Sequence, residues 1–384
     1  MTSPHVQEVI ASGTKSVQDR FVFAVCQQGA ERPLKERFTG PDAPLRLAFS
    51  RPGLATFKTS GDQTCLLSRS WLARVAGEGL GNVRGKIAEE LVNQTLALVD
   101  AQFSRPSKTQ GVPPEMTQSV PTNAQALQAI HIFERDRALP GTRGFEPGPS
   151  ALTEAIGKVF ADSIRTAGNP IPLINSACSI GDKILDVILV EPDQWLIGTH
   201  VATEIQHCWP GGAYPVVAPD QMVSRAYLKI AEAVAWSQLP LQPGDRVVEI
   251  GSAPGGSCQR LLDVGLEVTG VDPAEMDELL MNHPRFEHWR SKAAGMKRKM
   301  YSKFKWLTAD ANVAPNYTLE VVEDIVNYPT SRFQGLLLTI KLSSYDLIDQ
   351  VDAAAAQIRS WGFSKVKIRQ LASNRRECCI AAQR

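Results

Sequence analysis

The C-terminal part of the sequence alternates short apolar segments with amphipathic ones, and this alternation restricts the possible folds more than any other feature. A helical pattern over 224–236 leads into an apolar segment at 246–251, and the alternation continues to the end of the chain. Strands that alternate with helices favour a parallel sheet covered by helices on both faces. We therefore expect a doubly wound α/β domain over 216–384. Its other expected strands lie at 267–272, 305–310, 335–342, 365–371 and 377–382.

The residues before this domain have a different pattern, which predicts two small α+β units. Short apolar segments separated by turn residues dominate the first unit, which we place at 1–65. The second unit, placed at 66–215, contains both helical and strand-like periodicity. Its expected elements are a helix within 84–103, a strand at 128–134, a helix capped by Ser150, and strands at 184–191 and 194–201. The polar, proline-rich segment 104–123 is predicted to be a loop or linker.

The composition excludes several classes of protein. The 384 residues include 41 basic and 40 acidic ones, so the chain as a whole does not attract nucleic acid by net charge. Its seven cysteines form no Cys-x-x-Cys pair, which argues against a zinc site and against a disulfide framework. The sequence shows neither a secretory signal nor an apolar run that could span a bilayer. We therefore expect a cytoplasmic protein with reduced thiols, without metal and without membrane association.

A glycine turn follows the first strand of the C-terminal domain. It reads Gly251-Ser-Ala253-Pro254-Gly255-Gly256, with alanine at the second glycine of the dinucleotide fingerprint and proline after it. Proline removes an N–H donor that a pyrophosphate would need, and no Gly-Lys-Ser/Thr follows as in a phosphate-binding loop. A ligand that lacks phosphates fits better. Five residues of the turn are predicted to bind S-adenosylmethionine: Gly251, Ala253, Pro254, Gly255 and Gly256.

Asp272 ends the next expected strand, 21 residues after Gly251. An acidic residue at this place in a doubly wound fold accepts hydrogen bonds from ribose hydroxyl groups. We therefore predict that Asp272 binds the ribose of the cofactor.

From these motifs onward, the sequence resembles the FtsJ-like ribose 2′-O-methyltransferases. The segment "VVEIGSAPGGSCQRLL…VTGVD" is similar to the cofactor motif of that family, which also carries a Lys-Asp-Lys-Glu set. The matching contexts are "SRAYLKIAEA", "KWLTADAN", "LLLTIKL" and "RQLASNRRECCIAA". The resemblance implies a Rossmann-like methyltransferase fold and assigns catalytic roles to Lys229, Asp310, Lys341 and Glu377. Asp310 is also expected to face the methionine end of S-adenosylmethionine.

The segments "VSRAYLKIAEA" and "RQLASNRRE" resemble one branch of the family more closely, the RlmM-type methyltransferases of large-subunit ribosomal RNA. In that branch, a ferredoxin-like domain and a THUMP domain, an RNA-binding module, precede the catalytic domain. The resemblance therefore implies that 1–65 is ferredoxin-like and that 66–215 is THUMP-like. It also implies that the substrate is a cytidine in the peptidyl transferase region of 23S rRNA.

Ribose methylation needs a base, because a ribose hydroxyl is a poor nucleophile until it loses its proton. A lysine can accept that proton only if its pKa falls, and a neighbouring cation lowers it. We expect Lys341 to be the base and Lys229 to lower its pKa. Asp310 and Glu377 are expected to orient the two ammonium groups.

Two features depart from the family pattern. Ser257 stands where relatives commonly have tryptophan. Two roles are open for its hydroxyl, a bond to the carboxylate of the cofactor or the cap of the following helix, and we expect the cap. No aspartate occurs in the segment 286–299, where the family tends to place an acid near adenine.

Two other functions remain open: a non-catalytic RNA-binding ribosome-assembly factor, and a nicotinamide-dependent oxidoreductase.

Two basic segments are candidate RNA contacts. The segment 285–305 holds eight basic residues against one acidic residue, with Trp289, Tyr301 and Phe304 between them. Cations contact phosphates, and exposed aromatic rings stack on unpaired bases. From these segments we select Lys297, Arg298 and Lys299, and also Arg375 and Arg376 beside Glu377.

Overall fold

A computed structural model describes residues 20–41, 43–60, 64–103 and 127–384 of the chain. The segment 104–123, predicted to be a loop or linker, lies outside the described residues. The described segments form an eight-stranded and a seven-stranded sheet. None of their helices has the length and apolar character that a bilayer crossing requires.

The first sheet takes all of its strands from residues 20–201 and has the order β2-β3-β1-β4-β8-β7-β5-β6. Its strands are β1 (Arg20–Cys26), β2 (Arg46–Arg51), β3 (Leu54–Thr59), β4 (Ala73–Arg84), β5 (Ala129–Glu134), β6 (Leu173–Ile174), β7 (Lys183–Glu191) and β8 (Gln194–Val201). Four helices accompany them: α1 (Glu31–Phe38), α2 (Thr64–Ser68), α3 (Ala88–Phe103) and α4 (Ala151–Thr166).

Strand β4 joins the two predicted N-terminal units into one sheet. It pairs antiparallel with β1 through Phe21↔Gly79 and with β8 through Glu78↔Thr199. The helix expected from residue 84 begins only at Ala88, because β4 extends to Arg84. The division of these residues into 1–65 and 66–215 stays a prediction.

The start of α4 was predicted correctly. The backbone N–H of Thr153 donates to Oγ of Ser150 at 3.4 Å, and the N–H of Ser150 donates to Oγ1 of Thr153 at 2.7 Å. These two bonds form a capping box, which satisfies N–H groups that have no partner within the helix.

The second sheet has the order β11-β10-β9-β12-β13-β15-β14, which confirms the doubly wound fold. Its strands are β9 (Arg246–Ile250), β10 (Glu267–Val271), β11 (Phe286–Trp289), β12 (Trp306–Ala309), β13 (Gly335–Lys341), β14 (Lys365–Arg369) and β15 (Glu377–Gln383). Its α-helices are α5 (Ala226–Ser237), α6 (Gly256–Asp263), α7 (Glu278–Met281), α8 (Pro315–Val326) and α9 (Ile348–Ser360).

The expectation of a wholly parallel sheet was wrong at the last strand. Strand β15 runs antiparallel to both β13 and β14. Only the short segment 370–376 connects β14 to β15, and a parallel pair would need a longer crossover connection. The strand order reverses at β9, because β10 and β11 are added on one side of it and β12 and β13 on the other. A ligand is therefore expected beyond the carboxyl ends of β9 and β12.

The two sheets contact each other through the segment that precedes β15. The amide Oε1 of Gln27, just after β1, accepts hydrogen bonds from the backbone N–H of Arg376 at 2.9 Å and from the hydroxyl of Tyr345 at 3.1 Å. The backbone N–H of Gln370 donates to the carbonyl of Trp71 at 2.9 Å. The N-terminal sheet therefore supports the loop that leads to Glu377.

Candidate active site

Four charged side chains meet at the carboxyl edge of the parallel strands. Lys229 lies in the first turn of α5, Asp310 follows β12, and Lys341 ends β13. Glu377 begins β15, which runs back from the same edge. The structure thus brings together the four residues that the family resemblance selected.

The two ammonium groups and the two carboxylates alternate. Lys341 Nζ lies 2.6 Å from Oδ1 of Asp310 and 2.6 Å from Oε2 of Glu377. Lys229 Nζ lies 2.5 Å from Oε1 of Glu377 and 3.3 Å from Oδ2 of Asp310. Each lysine therefore contacts both acids, and the formal charge of the tetrad is zero. The Glu377 side chain is only 3% exposed, so these pairs are shielded from solvent.

The electrostatics of the tetrad contradict one expectation. Burial acts to lower the pKa of Lys341, but the carboxylates of Asp310 and Glu377 outweigh burial and raise it. Burial likewise acts to raise the pKa of Asp310, and the two ammonium groups hold it below its ordinary value. The expectation that the pKa of Lys341 falls is not met in this arrangement, because two carboxylates touch Lys341 Nζ directly. The tuning role expected of Lys229 stays a prediction.

The glycine turn passes close to the chain that follows β12. Gly251 has φ +76°, and a Cβ atom added to it would lie 2.6 Å from Cα of Ala311. Only glycine fits this close approach. On the other side of the turn, the backbone N–H of Ala253 donates to Oδ2 of Asp272 at 3.2 Å, while the N–H of Ala274 donates to Oδ1 at 2.8 Å. These bonds fix the carboxylate of Asp272 beside the turn.

A cavity of about 740 Å³ opens beside this turn and reaches Asp310. Of the residues predicted to bind the cofactor, Gly251, Ala253, Asp272 and Asp310 line it. Apolar side chains that sequence reasoning missed form another part of the wall: Ala293, Val313, Tyr317 and Val321. An apolar wall opposite a fixed carboxylate fits a nucleoside, whose base is apolar on its faces and whose ribose carries hydroxyl groups.

The other three predicted cofactor residues do not line the cavity. A Cβ atom at Gly255 would lie 1.8 Å from the side chain of Leu280, and one at Gly256 would lie 2.2 Å from Oγ of Ser224. Gly255 and Gly256 therefore allow close packing of the turn and α6 against neighbouring segments. Pro254 lies between Ala253 and Gly255 in the same turn. A direct contact of these three residues with a cofactor stays a prediction.

Ser257 does not cap α6, contrary to expectation. The capping position belongs to Gly255, and the buried hydroxyl of Ser257 instead bonds the carboxyl group of Glu249. Thr308 Oγ1 donates to the same carboxyl group. Burial raises the pKa of Glu249 to about 8, although these hydrogen bonds act to lower it. Sequence reasoning missed Glu249; the one available signal was an acidic residue inside an apolar strand.

The expected RNA contacts in 285–305 are only partly accessible. Lys297 and Lys299 are exposed, whereas Arg298 donates to two backbone carbonyls and pairs with Asp324 at 3.2 Å. Tyr301 and Phe304 are buried, so the expectation that these rings stack on bases was wrong. Their rings pack against Trp289 with centroids 5.8 and 5.6 Å away.

The second basic segment lies beside the tetrad. Arg375 and Arg376 are both exposed. The backbone N–H of Arg375 donates to Oε1 of Glu377 at 3.3 Å. The positions of Arg375 and Arg376 are therefore tied to that of Glu377.

Residues 222–342 match the family model of the FtsJ-like methyltransferases. The matched segment contains the glycine turn and three members of the tetrad, and Glu377 lies beyond it. The chain is also similar to two curated proteins named ribosomal RNA large subunit methyltransferase M. The protein from Hahella chejuensis is 25% identical over 298 residues, which are 67% of this chain and 72% of that protein. The protein from Laribacter hongkongensis is 28% identical over 181 residues, or 45% of this chain and 51% of that protein.

The match to the Laribacter protein thus spans about half of that relative's length. Among solved structures, the fibrillarin of Aeropyrum pernix in complex with S-adenosyl-L-methionine aligns with 51% of this chain and 81% of its own. Its sequence identity is 16% and its TM-score is 0.33.

Proposed function

We propose that this chain, whose residues 222–342 form an FtsJ-like methyltransferase domain, transfers a methyl group from S-adenosylmethionine to a ribose 2′-hydroxyl of RNA. The observation that carries the proposal is the alternating tetrad of Lys229, Asp310, Lys341 and Glu377 beside the cavity of about 740 Å³. Asp310 belongs to both, because it lines the cavity and contacts both lysines.

The residues around the cavity suit S-adenosylmethionine. Asp272 would accept hydrogen bonds from the ribose hydroxyl groups, and the turn at Gly251 and Ala253 would support the cofactor next to it. When bound, S-adenosylmethionine supplies a methyl group on a sulfonium centre, which is already activated for displacement. The chain must then align the acceptor hydroxyl and remove its proton.

We assign proton removal to Lys341. In the proposed step, neutral Lys341 Nζ takes the proton of the 2′-hydroxyl, the ribose oxygen forms the new bond to carbon, and the sulfur keeps the electron pair of the broken bond. Because two carboxylates raise the pKa of Lys341, the neutral form must be favoured in the complex. Two effects favour the neutral form of Lys341: the positive charge of the cofactor's sulfonium group next to Asp310, and the exclusion of water by the bound substrate. Lys229 and Glu377 position Lys341 and contact the acceptor hydroxyl.

The proposed substrate is large-subunit ribosomal RNA. The names of the curated relatives support this substrate, and the resemblance of the motifs to RlmM-type enzymes supports a cytidine of 23S rRNA. We further infer a cytoplasmic reaction and an RNA-binding role for the N-terminal units, ferredoxin-like over 1–65 and THUMP-like over 66–215. The basic residues proposed to contact RNA are Lys297, Arg298, Lys299, Arg375 and Arg376.

Mapping of 2′-O-methyl groups on 23S rRNA from cells with and without the gene tests the proposal. We expect one methylated cytidine to disappear in the deletion strain and to return when the wild-type chain is supplied. The chain carrying Lys341→Met should not restore it. If every methylated site persists without the gene, the chain does not methylate this RNA. If Lys341→Met restores the lost site, Lys341 is not the base, and methyl transfer by the purified chain then decides between another base and a non-catalytic role in ribosome assembly.

A further inference from the structure

One segment of residues 20–201, here called the N-terminal sheet domain, contacts arginines that lie close in sequence to two tetrad residues. It connects β5 to α4 and forms a tight turn at Leu139–Glu146, in which the backbone N–H of Gly141 donates to the carbonyl of Phe145 at 2.8 Å. Phe145 is buried and anchors the turn, whereas its tip, at residues 142–144, is exposed. The turn is thus a fixed projection with an accessible end.

The turn is attached to two segments that carry tetrad residues. Nε of Arg375 donates to the carbonyl of Pro140 at 2.6 Å, and Arg375 lies two residues before Glu377. Arg225, four residues before Lys229, pairs with Glu146 through Nη1 and Nη2. The turn therefore lies beside the tetrad, held from both sides.

The approach between the turn and these arginines is close. A Cβ atom added to Gly141 would lie 2.5 Å from Nη2 of Arg375 and 2.7 Å from Nη1 of Arg225. Gly141 also has φ +74°, so two independent constraints favour glycine there. Arg143, at the tip, has φ +52°, and its side chain is exposed.

The turn and the three arginines near it, Arg225, Arg375 and Arg376, form a rim beside the tetrad, and the charges of this rim are not balanced. Among the described residues, a carboxylate pairs with Arg225, but none pairs with Arg143, Arg375 or Arg376. The tetrad beside them has a formal charge of zero, and the rim therefore carries an excess of positive charge. A phosphodiester is the anion that would approach a ribose hydroxyl placed at the tetrad, and guanidinium groups bind phosphate oxygens in a bidentate manner.

We propose that the turn Leu139–Glu146 forms the substrate-side wall of the active site and that Arg143, together with Arg375, binds a phosphate of the RNA strand that carries the reacting ribose. This inference rests on the proposed function and extends it, because it assigns an RNA-contacting residue of the catalytic centre to the N-terminal sheet domain. The N-terminal sheet domain would then hold the RNA next to the reacting ribose, in addition to contacts with RNA farther from the tetrad.

The test compares three variants of the full chain. Arg143→Asn removes the charge with a residue that tolerates positive φ, and Arg143→Lys keeps a charge. Arg332→Ala is the control: this arginine is exposed and lies just before β13, at the edge of the second sheet opposite to the tetrad and outside the segments proposed to bind RNA. The measurements are KM and kcat with 23S rRNA, RNA affinity at several salt concentrations, and the Kd of S-adenosylmethionine.

For Arg143→Asn we expect KM and the Kd of RNA to rise by about tenfold, as for the loss of one charge-assisted contact. The slope of log affinity against log salt should fall by about one. Arg143→Lys should keep the salt slope of the wild type but recover only part of the affinity, because an ammonium group keeps the charge without the bidentate contact. Arg332→Ala should match the wild type, and the cofactor Kd should not change. An unchanged RNA affinity and salt slope in Arg143→Asn overturns the inference. If the wild type binds rRNA but transfers no methyl group, the proposed function fails, while the affinity measurements still decide the role of Arg143.

Discussion

Lys341 and Glu377 are register partners at the end of the antiparallel ladder between β13 and β15, and Lys341 Nζ donates to Glu377 Oε2 at 2.6 Å. The backbone pairing continues one residue beyond the ladder, because the N–H of Leu342 donates to the carbonyl of Arg376 at 2.8 Å. Backbone pairing therefore fixes the distance between an ammonium group and a carboxylate that lie 36 residues apart in the chain. In the proposed reaction, Glu377 is therefore a positioning residue for Lys341.

Replacing Lys341 tests its role as the base. Lys341→Met should lower the rate of methyl transfer by roughly 10²–10⁴-fold, the usual contribution of general base catalysis, without changing the Kd of S-adenosylmethionine. Lys341→Arg is the matched control: it keeps the positive charge but cannot give up its proton at accessible pH, so it should be equally inactive. Single-turnover assays with labelled cofactor measure both. Normal transfer by either variant would exclude Lys341 as the base.

The pH dependence of the reaction follows from the same contacts. Because Asp310 and Glu377 raise the pKa of Lys341, the neutral base is scarce at neutral pH and becomes more abundant as pH rises. The value of kcat/KM should therefore increase with pH up to the limit of protein stability. Glu377→Gln removes one carboxylate, lowers the pKa of Lys341 and should shift this increase to lower pH. If kcat/KM rises at the same pH in the wild type and in Glu377→Gln, the assignment of Lys341 as the base is contradicted.

Part of the site follows from the sequence by elementary rules. Asp310 and Lys341 each follow an apolar strand of a doubly wound sheet, so both are expected at its carboxyl edge. Glu377 is different, because it begins a strand and would lie at the opposite edge if the sheet were wholly parallel. Only the reversal of β15 brings it to Lys341, and strand periodicity does not reveal the direction of a strand. For Glu377, the family resemblance carried information that the residue pattern lacked.

The basic segment shows a second limit of sequence reasoning. Aromatic residues between cations have the same pattern whether their rings face solvent or the core. Here Tyr301 and Phe304 face inward, while Lys303 lies over the rings of Trp289 and Phe304. The direction of these side chains depends on tertiary packing with distant strands. The same is true of the turn at Leu139–Glu146, whose position beside Arg375 only the fold could reveal.

Gly251→Ala should damage the cofactor site. The added methyl group would lie 2.6 Å from Cα of Ala311, and φ of +76° costs an L-residue about 1–2 kcal/mol even without this contact. We expect a lower free energy of unfolding and a weaker affinity for S-adenosylmethionine, measured by denaturant titration and calorimetry. Gly244→Ala is the control, since Gly244 also has positive φ, at +86°, but no atom within 4 Å of the added Cβ. Equal cofactor affinity in both variants would show that the close approach at Gly251 does not shape the site.

Glu249 should make the stability of the chain depend on pH. Burial raises its pKa to about 8 in the folded state, against an ordinary value of 4.5, so the folded chain holds a proton that the unfolded chain releases between these values. The contribution of this group to stability is fully present below about 4.5 and is lost as pH rises through about 8. Within this window the free energy of unfolding should fall by up to about 1.4 kcal/mol per pH unit from this residue.

Glu249→Gln keeps the shape of the side chain and cannot ionise, so urea titrations between pH 5.5 and 7.5 should show a flatter dependence for this variant. The exposed Glu267→Gln, on the adjacent strand β10, should keep the slope of the wild type. Identical slopes for wild type and Glu249→Gln would mean that Glu249 is ionised in the folded chain.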